Sequence, residues 1–216
     1  MKTIVISSQK GGSGKTTLAT LLAVEAERAG DDPAWLIDTD EQGTLSQWHE
    51  RRESDTPQRA EMPFSSLSTG LVNLAKRGAS HCFIDTAPTI SEQSAAIINL
   101  ADLVLIPVCP SPADLWSVSE TVALVKGAGK PFLFVITQAK PQAIITAQTV
   151  AALSQHGRVA QSFIADRVAY AAAMTGGRTA PELSPKSAAS EEIATLWRDV
   201  KSCFHEKMKS ARRRNG

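Results

Sequence analysis

Short apolar runs separated by helical periodicity recur along this chain of 216 residues. Ile4, Val5 and Ile6 form a run of buried-strand type, and Leu18, Leu21, Leu22, Glu25 and Ala26 then fall at helical spacing until Gly30 stops them. Residues 34–37 repeat the strand pattern and end on Asp38. Apolar runs at 81–84, 103–108 and 131–136 are each followed by polar, Gly or Pro residues and then a helical pattern. Uninterrupted apolar strands alternating with helices predict an α/β fold, a mostly parallel twisted sheet with helices on both faces. The polar stretch 48–62 reads as a helix end and a solvated loop without chemistry. Prolines between Ile106 and Asp114 predict a stiff connector before a helix from about Ser111 to Lys126. Near the end, Ile193, Leu196, Trp197, Val200, Phe204 and Met208 recur at three- and four-residue steps, a stripe that docks a long helix on the body.

Composition bounds the picture. The length suits one domain, 1–216, with a core large enough to stand without staples. The three cysteines, Cys82, Cys109 and Cys203, are odd in number and widely spaced, which predicts a reducing cytoplasm. No apolar run approaches the ~20 residues of a spanning helix. The histidines His49, His81, His156 and His205 show no metal-ligand spacing. The formal net charge is only +1, yet positive charge gathers in the tail, 207–216, where Arg212, Arg213 and Arg214 stand together.

The densest chemistry follows the first apolar run. Residues 10–17 read Lys-Gly-Gly-Ser-Gly-Lys-Thr-Thr, a variant of the pattern G-x-x-x-x-G-K-[ST] with Lys10 in the first place. Gly11, Gly12 and Gly14 let successive backbone N–H groups converge on phosphate oxygens, and the following helix points its positive end at the same anion. In such a loop Lys15 reaches the β- and γ-phosphates and the Thr16 hydroxyl coordinates Mg²⁺, while Ser13 and Thr17 complete the cradle. Two more strand ends carry acids. Asp38 and Asp40 stand two residues apart, able to divide labour between metal and water, and Asp85 ends an apolar strand in the manner of a Walker-B carboxylate. With Thr137, these positions converge beyond the carboxyl ends of the strands, where open α/β sheets bind ligands. Residues 86–92 form a candidate switch that senses the γ-phosphate.

These residues resemble those of the ParA/MinD family of phosphate-loop ATPases, most closely the small ParA-type (ParF-like) partition ATPases, and the likeness extends over nearly the whole chain. The resemblance implies a P-loop NTPase fold, slow Mg²⁺-dependent ATP hydrolysis and a homodimer formed on ATP binding, in which Lys10 crosses to the nucleotide of the other subunit. It further implies that Asp38 takes the metal's outer shell and that Asp40 orients the attacking water with Gln42 alongside. The segment 38–43 departs from the family's D-x-D-P-Q at Glu41, which replaces proline and loosens the segment. Gln138 stands where the family contacts adenine. The family's partners are nonspecific DNA and a centromere-binding adaptor (ParB/ParG-like), giving a cytoplasmic, nucleoid-associated protein with no membrane contact.

Three function classes stay open at this point: a partition ATPase, a MinD-like ATPase cycling on a membrane or positioning a protein cargo, and a small-molecule kinase or ligase sharing the fold. A tail ending Ala-Arg-Arg-Arg-Asn-Gly lacks the apolar face a membrane anchor needs. With the loop starting at residue 10, sequence-specific DNA recognition is expected from a partner. The expected DNA surface is Arg212, Arg213 and Arg214, together with Arg167, Arg178 or Lys186 if they share its face.

Overall fold

The computed structural model describes residues 1–89 and 91–214, with side chains through Phe204. Its strands are β1 (Lys2–Ile6), β2 (Ala34–Asp38), β3 (Gln58–Arg59), β4 (His81–Asp85), β5 (Leu103–Val108) and β6 (Phe132–Ile136). The helices are α1 (Lys15–Arg28), α2 (Thr44–Glu50), α3 (Leu67–Lys76), α4 (Glu92–Asn99), α5 (Pro112–Gly127), α6 (Ile144–Ser154), α7 (Val168–Thr175), α8 (Ala180–Leu183) and α9 (Ala188–Arg214). The sheet order is β3-β2-β4-β1-β5-β6, and every strand pair is parallel.

Both sheet faces are covered, which explains why the strands read as unbroken apolar runs. Ile4, Ile6, Leu36, Phe83, Leu105 and Val135 pack under α1, α2 and the C-terminal helices. Val5, Ile37, Ile84, Val104, Ile106 and Ile136 face the opposite layer with α3, α4, α5 and Leu153 of α6. α1 sits between the sheet and α9 and buries Leu18 through Ala26 without interruption. The docking stripe of α9 is buried at Ile193, Leu196, Trp197, Val200 and Phe204; the side chain of Met208 lies outside the described residues. Trp197 packs its ring on His81 and Phe83 and donates Nε1–H to Asp31 at 2.8 Å, so the amphipathic ring is both buried and satisfied.

The stretch 48–62 is not a solvated loop. It contains the edge strand β3, which pairs with β2 at Trp35–Gln58 and Leu36–Arg59. Its Arg52 side chain is 3% exposed and ion-paired with Glu182 of α8 at 2.8 Å. Gly177 makes this junction possible: at φ 65°, a Cβ there would stand 2.5 Å from the Arg51 carbonyl carbon, so only glycine lets the two backbones meet. On the other side of the sheet, irregular chain occupies the free edge of β6. Phe134 N–H donates to Arg158 O, Ala160 N–H to Phe134 O, and Ile164 N–H to Ile136 O.

Candidate functional site

The site is built where β1, β2, β4 and β6 end. After β1 the chain turns through residues 7–14, and α1 starts at Lys15 behind Gly14, whose φ of 87° is left-handed and suits glycine. The end of β6 braces this turn: Thr137 Oγ1 donates to Ser13 O at 2.8 Å and Gln138 Nε2 to Gly12 O at 2.7 Å. Gln138 itself takes a φ of 50°, the one non-glycine residue with positive φ among those described. Gly11 and Gly12 remain exposed on the loop, and the Ser13 hydroxyl is buried with no partner in the protein.

The two lysines of the loop differ in placement. Lys15 is buried at 7% exposure, with Nζ 3.3 Å from Lys10 O beneath the loop, whereas the Lys10 side chain is exposed. Burial lowers the Lys15 pKa, and the nearby Asp85 and Asp40 carboxylates pull it back up. A desolvated cation held among carboxylates is primed to gain from an incoming polyanion.

Thr16 Oγ1 donates to Asp85 Oδ2 at 2.5 Å. The Asp85 side chain is buried, and Oδ1 has no hydrogen-bond partner. Burial pushes the Asp85 pKa up to about 7, opposed by the Thr16 bond and reinforced by Asp38. An orphaned buried carboxylate oxygen beside a threonine hydroxyl fits a hard cation. No group of three or more His, Cys, Asp or Glu residues among those described could hold a metal by itself, so an ion here takes its other ligands from water or phosphate.

Asp38, expected in the metal's outer shell, is anchored by donors of the protein. Its Oδ2 accepts from Ser46 N–H at 2.9 Å and Ser46 Oγ at 3.0 Å, and its Oδ1 from Asp40 N–H at 3.1 Å, three donors on a carboxylate that can accept about four. Asp40 is half-buried, caps Gln42 N–H through Oδ1 at 3.0 Å, and acts electrostatically on both Lys15 and Asp85. Thr39 sends its N–H and its hydroxyl to the Asp85 carbonyl at 3.0 and 2.7 Å, fastening the end of β2 to the end of β4. In the segment 86–92, Thr86 Oγ1 donates to Ile6 O at 2.8 Å and Ser91 caps α4, while Ile90 lies outside the described residues.

Beside the loop lies a cleft of about 260 Å³ lined by Gly14, Thr17, Gln138, Asp166, Tyr170 and Met174, among others. Thr17 Oγ1 meets Met174 Sδ at 3.4 Å across it. The wall formed by α7 carries no motif and was not visible in the sequence; only its position after β6 could have pointed to it. Glu192 of α9 anchors that wall, accepting from Tyr170 Oη at 2.7 Å, Ala165 N–H at 3.2 Å and Arg167 Nε at 3.0 Å.

Of the body residues expected at the DNA surface, two are engaged in ion pairs. Arg167 is paired with Glu192 and Arg178 with Glu53, while Lys186 is exposed. α9 begins beside Tyr170 at the cleft and passes Lys2, at the amino-terminal end of the central strand β1, by Phe204. Its rise of 1.5 Å per residue carries Arg212 roughly 35 Å along the axis from Ala189. Arg167 and the tail therefore sit at opposite ends of the fold, because one continuous helix separates them. The side chains of Arg212, Arg213 and Arg214 lie outside the described residues.

The VirC1 protein family matches residues 1–175 of this chain. Maintenance of carboxysome distribution protein A of Halothiobacillus neapolitanus is 26% identical over 208 residues, 92% of this chain and 95% of that protein. Among solved structures, a Cyanothece McdA variant in complex with ATP aligns with a TM-score of 0.76 at 21% identity, covering 95% of this chain and 96% of that one. The septum site-determining protein MinD of Pyrococcus horikoshii with Mg-ADP aligns with a TM-score of 0.75 at 18% identity, covering 92% and 95%. The two structural likenesses establish the shared fold. With the loop of residues 10–17 at its centre, the chain belongs to the VirC1 protein family, within the ParA/MinD group of phosphate-loop ATPases.

Proposed function

We propose that this chain is a nucleotide-switched positioning ATPase. It binds ATP with Mg²⁺, pairs with a second copy in that state, holds DNA without reading its sequence, and releases both when a ParB/ParG-like adaptor on its cargo triggers hydrolysis. The observation that carries this reading is the contrast between the lysines: Lys15 is buried under the loop while Lys10, five residues earlier, is exposed. An outward lysine beside the loop can stabilise triphosphate charge within its own subunit or across an interface, and the family resemblance favours the partner's nucleotide.

In this reading Gly11, Gly12, Ser13 and Gly14 offer backbone donors to the phosphates, and Lys15 neutralises their charge from within the subunit. Thr16 and Asp85 hold the metal, Asp85 through the oxygen that now has no partner. A Mg²⁺ ion held there would supply charge neutralisation to the phosphates. Asp40 orients the attacking water, and Asp38 holds Asp40's segment in place. Gln138 and the cleft wall from Asp166 to Met174 receive the base. The carboxysome-distribution relative favours a protein assembly over a plasmid as cargo. No helix among the described residues is long and apolar enough to cross a membrane.

Size-exclusion chromatography with light scattering, paired with nucleotide-binding and turnover assays, tests the reading. Lys15→Ala should lose ATP binding or hydrolysis. Lys10→Ala should bind ATP yet fail to dimerise, and Asp40→Ala should dimerise in ATP and turn over poorly. A Lys10→Ala protein that still dimerises removes the cross-subunit role, and unchanged ATP affinity and turnover in Lys15→Ala remove the phosphate-loop reading.

A further inference from the structure

Arg59 comes from the edge strand β3, inside the stretch that sequence alone assigns no chemistry. Its side chain is 15% exposed, and Nη1 donates to Ser46 Oγ at 2.9 Å while the other nitrogen pairs with Glu61. Ser46, in the first turn of α2, passes its one hydroxyl proton to Asp38 Oδ2 at 3.0 Å. A hydroxyl has one proton and two lone pairs, so accepting from a guanidinium leaves that proton directed at the carboxylate and strengthens the bond it makes. Asp38 in turn accepts the Asp40 N–H. A chain of hydrogen bonds therefore runs from the sheet edge through one hydroxyl to the backbone of Asp40.

We propose that Arg59 is a positioning residue for hydrolysis: acting through Ser46, it fixes Asp38 and with it the segment 38–43 that carries Asp40. The inference rests on the ATPase reading above. Two observations separate this role from simple attachment of the edge strand. β3 is already held by its backbone, with Trp35–Gln58 and Leu36–Arg59 in register and Ala60 N–H donating to Leu36 O at 2.9 Å. Glu61, the other partner of Arg59, is 74% exposed, so water could serve it in place of the guanidinium. What depends on the Arg59 head group is the Ser46 hydroxyl and its bond to Asp38 Oδ2, which supplements the Ser46 N–H bond to the same oxygen.

The test uses the full chain with Arg59→Ala, Arg59→Lys and Ser46→Ala, and Lys15→Ala as reference. Affinity is read with a fluorescent non-hydrolysable ATP analogue, turnover with ATP and Mg²⁺, and amide hydrogen exchange in the nucleotide-free protein. Arg59→Ala should bind the analogue within about twofold of the parent, lose about tenfold in kcat, close to 1.4 kcal/mol of barrier, and exchange faster over residues 40–46 with α1 unchanged. Ser46→Ala should reproduce both effects with β3 intact, and Arg59→Lys should recover most of the rate. Unchanged exchange over 40–46, unchanged kcat, or a joint loss of affinity and kcat that Arg59→Lys does not repair overturns the inference. Full hydrolysis by Lys15→Ala instead marks failure of the phosphate-loop site on which the proposed function rests, and the exchange measurement still decides on the tether.

Discussion

Replacing Arg52 by alanine should destabilise the fold by an amount that can be worked from its contacts. The guanidinium donates to Gly177 O at 2.8 Å and Thr56 O at 2.6 Å, meets both carboxylate oxygens of Glu182 at 2.8 and 3.3 Å, and lies 4.6 Å from the Trp48 ring centroid. Truncation leaves two carbonyls short of a donor and one carboxylate short of its cation. Removing one partner of a buried pair costs about 3–5 kcal/mol. Glu182 is 24% exposed and keeps the N–H and hydroxyl of Thr179, so solvent and the α8 cap offset part of that. The expected loss is about 2–3 kcal/mol, or a fall in Tm of roughly 4–12 °C at the ~2–4 °C per kcal/mol usual for a chain of this size. Urea and thermal unfolding followed by circular dichroism, with the cycle Arg52→Ala, Glu182→Gln and the double variant, measure it.

The same pair has a pH signature. Burial pushes the Glu182 pKa up, but the Arg52 and Thr179 contacts outweigh it and hold the carboxyl below its ordinary range. Stability from the pair is thus fully present above the unfolded carboxyl pKa of about 4.3 and is lost as pH falls through the lower folded value. The gap between parent and Arg52→Ala should therefore narrow in acid. A Tm within about 1 °C of the parent, strict additivity in the cycle, or a gap that widens in acid would refute the reasoning.

Two further outcomes follow from the charges. Burial holds the pKa values of His49 and His81 below the ordinary one, despite the carbonyl bonds to Pro57 and Asp31, so the unfolded chain binds more protons; stability should drop as pH falls below about 6.5, and His81→Asn should show a smaller drop in urea midpoint between pH 7.5 and 5.5. If the tail grips DNA, deleting residues 211–216 should flatten the slope of log affinity against log salt by up to about 2.7 per engaged subunit, equally for unrelated sequences, as fluorescence anisotropy would report; an unchanged slope moves the DNA surface onto the body.

Much of the site is legible in the sequence because it is local. The loop of residues 10–17, Asp38 and Asp85 each stand directly after an apolar run, and the strand that positions them is written in the same few residues. β3 is illegible for the opposite reason: two polar residues at a sheet edge bury too little to leave an apolar trace, and their pairing is decided by β2. Arg52 and Arg59 share that fate, since their partners Glu182 and Ser46 are set by tertiary packing, 130 residues away for the first. Asp38 shows the limit of motif reading, which marks it as functional but not which atoms of the protein hold its carboxylate. The basic surface misleads because a cluster in sequence says nothing of where a continuous helix delivers it.

The edges of the sheet bear on how the protein keeps company with itself. On one side the outermost strand is two residues long, and on the other the chain around 158–164 occupies the ladder of β6 with its own backbone donors and acceptors. An unpaired strand of ordinary length is a template for another chain, and repeated close encounters between copies multiply the opportunities for such pairing. A protein proposed to meet its own copies with every nucleotide cycle has almost no free ladder to offer them. Its contacts with itself are left to side chains and nucleotide, which a cycle can undo, while strand addition, which it could not readily reverse, is closed off.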